Sequence, residues 1–81
     1  MSRVAEVVDA VARQLVDHPE EVEVTTTERR SGVCVEVRTA DGDLGKMIGR
    51  QGRTAAAVRT LVSITAELEG SEASVEFVSD D

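Results

Sequence analysis

The chain has 81 residues, of which 41% are hydrophobic, and a net charge of −7. A chain of this size buries only about 60% of its unfolded surface, so it forms one thin core in one domain, residues 1–81. The apolar runs are too short to span a bilayer, and the acidic, amphipathic N-terminus does not resemble a secretion signal. The one cysteine cannot form an internal disulfide, so the sequence predicts a cytoplasmic protein.

Two residue types that are scarce in the chain restrict the functions it can have. There is no Trp or Tyr, and Phe77 is the only aromatic residue. This argues against nucleic-acid recognition on a platform of aromatic side chains. The single His18 provides neither a histidine metal cluster nor the base of a catalytic pair. We therefore expect no metal, no cofactor and no enzymatic activity.

The first half of the chain predicts a helix followed by a hairpin. Residues 3–17 have the 3.6-residue apolar spacing of an amphipathic helix, with Ser2 as its N-cap and Pro19 after its end. His18 is interpreted as a polar residue at the helix end. Residues 21–28 and 33–39 alternate with a period of two and predict two strands joined by a turn.

The second half predicts two helices and a last strand. Asp43 is expected to cap a short helix at 44–48, and glycines interrupt the helical pattern before a long helix at 53–68. Residues 73–78 alternate again, with Val75 and Phe77 facing inward. The buried stripe of the long helix is predicted to be Ala55, Val58, Leu61, Val62 and Thr65.

This order of elements predicts an α+β fold with two layers, in which helices cover one face of a three-stranded sheet. The other face is expected to be polar and mostly negative, and to carry Glu21, Glu23, Cys34, Glu36, Arg38 and Glu76.

Charge is distributed unevenly along the chain. Residues 44–66 contain Lys46, Arg50, Arg53 and Arg59 but no acidic residue. The net negative charge opposes nucleic-acid binding in general, whereas a local basic patch acts at contact distance, within a Debye length of about 8 Å. Gly49 and Gly52 lie at the centre of this basic window. The long helix begins directly after Gly52, and free N–H groups at a helix N-terminus favour an anion such as a phosphate.

The string Leu-Gly-Lys-Met-Ile-Gly-Arg-Gln-Gly-Arg-Thr-Ala at residues 44–55 resembles the core of the KH domain, with its Gly-x-x-Gly loop. The order α-β-β-α-α-β resembles the type II, bacterial form of this domain, with a mixed sheet and helices on one face. Over nearly its whole length the chain is similar to the KhpA family of small single-domain bacterial RNA-binding proteins.

This resemblance implies a protein that binds single-stranded RNA, with a role as an RNA chaperone or post-transcriptional regulator. The loop grips about four nucleotides, and an apolar groove floored by Met47, Ile48 and either Val35 or Val37 takes the bases. It also implies a homodimer and a heterodimer with a KhpB-type KH protein. The implied RNA-binding residues are Lys46, Met47, Ile48, Gly49, Arg50, Gln51, Gly52 and Arg53.

Several alternatives remain open from the sequence. Met47 or Ile48 can belong to the core, Arg59 can be a solvated helix residue, and the two glycines can form a turn without a ligand. The chain can also be a protein-interaction module with weak RNA affinity, with the interface on the acidic sheet face and the valine-rich first helix. An enzyme acting on a phosphorylated small molecule is disfavoured because no P-loop spacing or nucleophile–base pair is present.

Overall fold

Helices and strands follow one another in the predicted order, α-β-β-α-α-β, in the computed structural model, which describes residues 3–79. Short 3₁₀ turns lie at Pro19–Glu21 and Arg50–Gly52. The predicted N-cap Ser2 lies outside the described residues. The elements are α1 Arg3–Leu15, β1 Glu23–Arg29, β2 Gly32–Thr39, α2 Leu44–Ile48, α3 Arg53–Leu68 and β3 Ala73–Ser79.

The sheet has the order β1-β2-β3, with β2 in the centre. β1 and β2 form the predicted antiparallel hairpin, in which Val24 lies opposite Val37. β3 is parallel to β2, and Phe77 lies opposite Val37 on that side. Parallel neighbours need a long crossover connection, and α2 and α3 supply it. The predicted α+β class with a mixed three-stranded sheet is confirmed.

The core lies between the sheet and the three helices. The valines of the covered sheet face, Val35, Val37 and Val75, pack against two helix stripes and against Met47 of α2. The stripes follow the four-residue spacing of one helix face. They comprise Val4, Val8 and Ala12 of α1 and Val58, Val62 and Ala66 of α3.

Over residues 3–79, no helix combines the length and apolar character that crossing a lipid bilayer requires.

Two members of the predicted α3 stripe were wrong. Ala55, Val58 and Val62 are buried as expected, but Leu61 is 39% exposed and Thr65 is only half-buried. Successive helical residues point about 100° apart, so Leu61 is turned away from the face that Val62 directs into the core. Ala66 takes the inward position one helical turn after Val62.

Two predicted boundaries shift by two residues each, and both lie between α1 and β1; the other shifts are of one residue. The helix ends at Leu15 instead of residue 17, and the strand begins at Glu23 instead of residue 21. The 3₁₀ turn at Pro19–Glu21 explains the second shift, because its residues are not extended. Glu21 therefore does not belong to the strand that carries the predicted outer-face residue Glu23, which lies opposite Arg38 in the sheet.

Candidate nucleic-acid interface

The start of α2 is held in place by a hydrogen-bonded pair from distant parts of the chain. Asp43 occupies the predicted N-cap position, but its carboxylate makes no capping hydrogen bond. Instead Asp43 Oδ2 accepts a hydrogen bond from the backbone N–H of His18 at 3.0 Å and lies 3.1 Å from its ring Nδ1. The expected side-chain cap was therefore wrong, and His18 is a partner of α2 as well as a residue after α1.

This pair changes the protonation of both groups. The hydrogen bond to Asp43, and then its negative charge, raise the pKa of His18 above the usual 6.5. Burial acts to raise the pKa of Asp43, but the hydrogen bonds from His18 and from the Asp17 backbone, together with the charge of His18, outweigh it, so that pKa lies below the usual 3.8. The charged forms thus stabilise each other and fasten the start of α2 to the end of α1.

Lys46, the first of the implied RNA-binding residues, lies in the last turn of α2 and forms an ion pair with Asp17. Its Nζ is 3.3 Å from Asp17 Oδ2, and both side chains are exposed to solvent. Exposed ion pairs of this kind contribute little stability because water screens them. The Lys46 ammonium is therefore free to exchange the carboxylate for another anion.

Gly49 ends α2 and lies against the beginning of α3. Its φ of 76° and ψ of 172° fall in a region that side chains disfavour. A Cβ added to Gly49 would collide with the side chain of Thr54 and lie 3.0 Å from the Thr54 backbone nitrogen. A glycine is therefore required here both by the backbone angles and by the close approach of α3.

Gly52, the second glycine of the loop, faces open space. It is left-handed, with a φ of 73°, yet an added Cβ would meet no atom within 4 Å. The preceding Gln51 is also left-handed, with a φ of 57°, which costs a residue with a side chain about 1–2 kcal/mol. The loop thus presents an unobstructed stretch of strained backbone to solvent on the Gly52 side.

Polar donors surround this exposed backbone. Arg50, Gln51 and Arg53 are all exposed, and Arg53 donates a hydrogen bond of 3.1 Å to the Gln51 side-chain oxygen. Gly52 is the N-cap of α3 and has no side chain to accept from the first-turn N–H groups. Those groups, the helix dipole and the two guanidinium groups together favour an anion at this point.

The two apolar residues directly before the loop, Met47 and Ile48, differ in their exposure to solvent. Ile48 is half-buried, whereas Met47 has 0% exposure and packs in the core. Val35 and Val37 also have 0% exposure. The expectation that Met47 and a strand valine floor an open groove was therefore wrong for this structure, and Ile48 is the accessible aliphatic surface.

A second surface, which the sequence did not reveal, lies on the other side of α3. A cleft of about 340 Å³ between α1 and α3 is lined by Val11, Leu15, Ala57 and Leu61, with Arg53 among its bordering residues. Further along the same side, Ile64 is 50% and Leu68 is 84% exposed. The spacing of three and four residues from Leu61 to Leu68 was the available signal, because it forms a second helix stripe.

Arg59 contacts Phe77, which is the only Phe, Tyr or Trp residue of the chain. Its guanidinium carbon lies 5.3 Å from the centroid of Phe77, over the ring, within the range of a cation–π interaction. Phe77 is half-buried on β3, while Arg59 is exposed on α3. The sequence offered no local signal for this pair, since the two residues lie on different elements.

The metal-ligating side chains of the described residues are not clustered. Over residues 3–79, no three His, Cys, Asp or Glu side chains are grouped so that they could hold a metal ion. Cys34, the free cysteine of the chain, is half-buried in β2.

The sequence profile described as "KhpA/KhpB, KH domain" matches residues 5–77, which includes the whole of the glycine loop. The chain belongs to this family. A protein named RNA-binding protein KhpA from Caldanaerobacter subterraneus is 41% identical over 73 residues, which cover 90% of this chain and 97% of the relative. No solved structure matches this chain at a significant level.

Two further relatives carry the same name, RNA-binding protein KhpA. The protein of Leifsonia xyli is 46% identical over 70 residues, or 86% of this chain and 90% of its own length. The protein of Aquifex aeolicus is 36% identical over 78 residues, or 96% of this chain and 99% of its own length. The similarity therefore extends over nearly the full length of each protein, so the family assignment does not depend on the loop motif alone.

Proposed function

We propose that this chain is a non-catalytic protein that binds single-stranded RNA through the loop Gly49–Gly52. The observation that carries the proposal is the exposed cluster of Arg50, Gln51 and Arg53 around left-handed backbone at the N-terminus of α3. Residues 44–66 contain no carboxylate to compete for these donors. The relatives named RNA-binding protein KhpA support the same conclusion.

The grip follows from the chemistry of the loop. The open side of Gly52 lets a sugar-phosphate backbone approach closely, and the first-turn N–H groups of α3 and the guanidinium groups of Arg50 and Arg53 bind its phosphates. Lys46 adds a further contact when a phosphate replaces the Asp17 carboxylate. With about four nucleotides in contact, two or three neutralised phosphates give a salt dependence of log K of about −1.4 to −2.1 for a single strand.

The accessibility of Ile48 favours single-stranded RNA as the proposed ligand. Its accessible side chain offers an aliphatic surface to unstacked bases, which a duplex does not expose. Contact is confined to this face, because the acidic residues elsewhere on the chain repel phosphate. A role as an RNA chaperone or post-transcriptional regulator, and a cytoplasmic location, stay predictions from the sequence.

The test is a pair of substitutions in the loop with a charge-matched control. Arg50→Asp with Gln51→Asp lowers the net charge by three, and so does Arg30→Asp with Ser31→Asp in the exposed hairpin turn. Binding of a short fluorescent single-stranded RNA is measured by anisotropy, and folding by circular dichroism. We expect the loop variant to lose about 100-fold in affinity and the hairpin variant to lose far less. Equal losses in the two variants would mean that net charge, and not the loop itself, determines RNA affinity.

A second proposed property is self-association through the apolar side of α3. The stripe of Leu61, Ile64 and Leu68 exposes aliphatic surface next to the cleft between α1 and α3, and exposed apolar patches mark interaction surfaces. Of the α1 valines that the sequence suggested for an interface, Val4 and Val8 lie in the core, whereas Val11 lines the cleft. We propose a homodimer, and a KhpB-type KH protein as the alternative partner, since the family description covers both proteins.

Light scattering tests this second surface. Ile64→Asp with Leu68→Asp introduces charges into the stripe, whereas Ser63→Asp places a charge on the same helix at an exposed position outside it. The stripe variant is expected to be monomeric at concentrations where the native chain and the Ser63 variant are dimeric. A monomeric native chain would overturn the homodimer, and capture of a KhpB-type partner from an RNase-treated lysate would then identify the partner.

A further inference from the structure

We propose that the free edge of β1 pairs with the same edge of a second copy of this chain, antiparallel and centred on Thr26. Over residues 3–79, β1 has one neighbouring strand, β2. Its other side is therefore an open sheet edge, which is a template for pairing with another strand. This surface is separate from the glycine loop and from the α3 stripe, and the inference does not depend on the proposed RNA binding.

The free backbone groups of this edge belong to Val24, Thr26 and Glu28. The backbone N–H of Val33 in β2 donates to the carbonyl of Glu72, on the β3 side, so Val33 is turned away from β1. Val33 lies opposite Glu28, and opposite residues of an antiparallel pair exchange either both hydrogen bonds or neither. Glu28 therefore directs its N–H and C=O away from β2, and by alternation along the strand so do Val24 and Thr26.

The free edge is long and regular. β1 has seven residues, none of which is Pro or Gly, and it pairs with β2 one to one along its whole length, without a bulge. Arg13 covers the approach to the strand, where its guanidinium donates to the carbonyls of Pro19 and Val22. From Val24 onward the strand thus lacks proline and bulges, two of the features with which sheet edges are protected from pairing.

The charges at the two ends of β1 favour a second copy as the partner. The exposed Glu20, Glu21 and Glu23 lie at the start of the strand. The exposed Arg29 and Arg30 lie at its end, and neither forms an ion pair over residues 3–79. An antiparallel copy places the acidic start of one strand beside the basic end of the other, twice by symmetry, and opposite charges across strands attract.

One register uses the whole strand. A two-fold axis perpendicular to the sheet keeps the helices of both copies on one face, so residues that lie opposite each other must share a face, and the axis passes through a residue. When that residue is Thr26, Glu23 lies opposite Arg29 of the second copy and Thr25 lies opposite its Thr27. An axis through Thr25 or Thr27 pairs fewer residues and leaves Glu23 without the opposite charge.

The middle of the paired strands contributes hydrogen bonds instead of charge attraction. Val24, Thr26 and Glu28 of each copy face the same three residues of the other, so their free N–H and C=O groups exchange hydrogen bonds. Val24 lies opposite Glu28 of the second copy, beside a cleft lined by acidic residues as well as by Arg13, and this contact adds no net attraction. The charged ends of the strands therefore set the register.

The test traps the contact with a disulfide, because one pair of strands is a small interface and small interfaces form transient contacts. All variants carry Cys34→Ser, since the native thiol lies opposite Thr27 in the sheet. Thr26→Cys, Thr25→Cys and Thr27→Cys are incubated separately in a glutathione redox buffer. Non-reducing gel electrophoresis follows the covalent dimer, and circular dichroism checks the fold.

The proposed register makes the three cysteine variants differ. Residue 26 lies opposite itself, with about 5.5 Å between the Cα atoms, which a disulfide spans. Two copies of residue 25, or of residue 27, lie about 8 Å apart, which is too far. We expect Thr26→Cys to crosslink about tenfold faster than either neighbour alone, and a mixture of the Thr25 and Thr27 variants to crosslink nearly as fast as Thr26→Cys.

A charge reversal tests the ends of the strand. Arg29→Glu, added to Thr26→Cys, turns both end pairs into like charges and should slow crosslinking about fivefold. Arg50→Glu changes the net charge equally but lies in the glycine loop, and it should slow crosslinking less than about twofold.

Each outcome supports or overturns the pairing. If Thr26→Cys crosslinks no faster than Thr25→Cys and Thr27→Cys, the edge does not pair as proposed. Fastest crosslinking of the Thr25 or the Thr27 variant alone overturns the register centred on Thr26. Equal slowing by Arg29→Glu and Arg50→Glu overturns the pairing of the charged ends. Fast crosslinking of Thr26→Cys that Arg29→Glu selectively slows supports the inference, whether or not the chain binds RNA.

Discussion

The two sides of α3 differ in chemistry although they share one backbone. The side that continues from the loop carries Arg59 over Phe77, while the side towards α1 carries the exposed stripe of Leu61, Ile64 and Leu68. The first surface suits a charged, π-rich ligand and the second suits an apolar one. The two proposals thus assign two partners to one helix of 16 residues, on sides that meet at Arg53, which belongs to the loop cluster and also borders the cleft.

The largest expected effect on RNA binding tests whether these surfaces are independent. The loop variant Arg50→Asp/Gln51→Asp should lose about 100-fold in RNA affinity, which is about 2.7 kcal/mol, while its dimer stays intact. The stripe variant Ile64→Asp/Leu68→Asp should show the reverse, with its RNA affinity per chain within about twofold of the native value. Anisotropy and light scattering on both variants check this. Loss of both properties in either variant would show that the surfaces are coupled.

The two loop glycines, Gly49 and Gly52, should differ in how much a substitution destabilises the protein, because their surroundings differ. Gly49→Ala meets both disfavoured backbone angles and the Thr54 contact, so it should cost about 3 kcal/mol of unfolding free energy. Gly52→Ala meets open space and should cost only the left-handed conformation, about 1–2 kcal/mol. Urea unfolding of both variants measures the difference. A larger cost at Gly52 would contradict the assignment of Gly49 as the packed glycine and Gly52 as the open one.

The His18–Asp43 pair makes stability depend on pH. The raised pKa of His18 gives a contribution that is complete below 6.5 and is lost as the pH rises through the folded value. The lowered pKa of Asp43 gives a contribution that is complete above 3.8 and is lost as the pH falls through its folded value. The pair therefore stabilises most between these limits, and the native chain should unfold more easily at pH 8 than at pH 5.5.

His18→Gln is the matching variant, since His18 is the single histidine of the chain. Thermal unfolding of this variant should depend less on pH between 5.5 and 8 than that of the native chain. An unchanged pH dependence would remove His18 as its source and leave the link between α1 and α2 without an electrostatic role.

The smallest expected effect concerns Asp17, which holds Lys46 on the loop side of the molecule. Asp17→Asn removes the competing carboxylate and should raise RNA affinity about twofold, since exposed ion pairs are worth only about 0.2–1 kcal/mol. Asp9→Asn, which removes the exposed partner of Arg13 on α1, is the control for the change in net charge. Equal gains in both variants would mean that Lys46 takes no part in binding.

Periodicity and glycine placement predicted the order of elements, the hairpin and the break before α3, because these depend on local pattern. Local pattern could not decide between Met47 and Ile48, since adjacent helical residues point about 100° apart and either can face the core. The same uncertainty about which way a helical residue faces led to the wrong prediction that Leu61 points into the core. The contact of Asp43 with His18 joins residues 25 positions apart, and no pattern within a single element contains it.

The most direct test of the loop as the RNA-binding site is a titration of the ¹⁵N-labelled chain with a short single-stranded RNA, followed by two-dimensional NMR. The account predicts that the largest shift changes fall on the backbone amides of residues 49–55, with small changes on the outer sheet face around Glu36 and Glu76. Changes confined to that acidic face, or to Leu61, Ile64 and Leu68 with none in the loop, would contradict it.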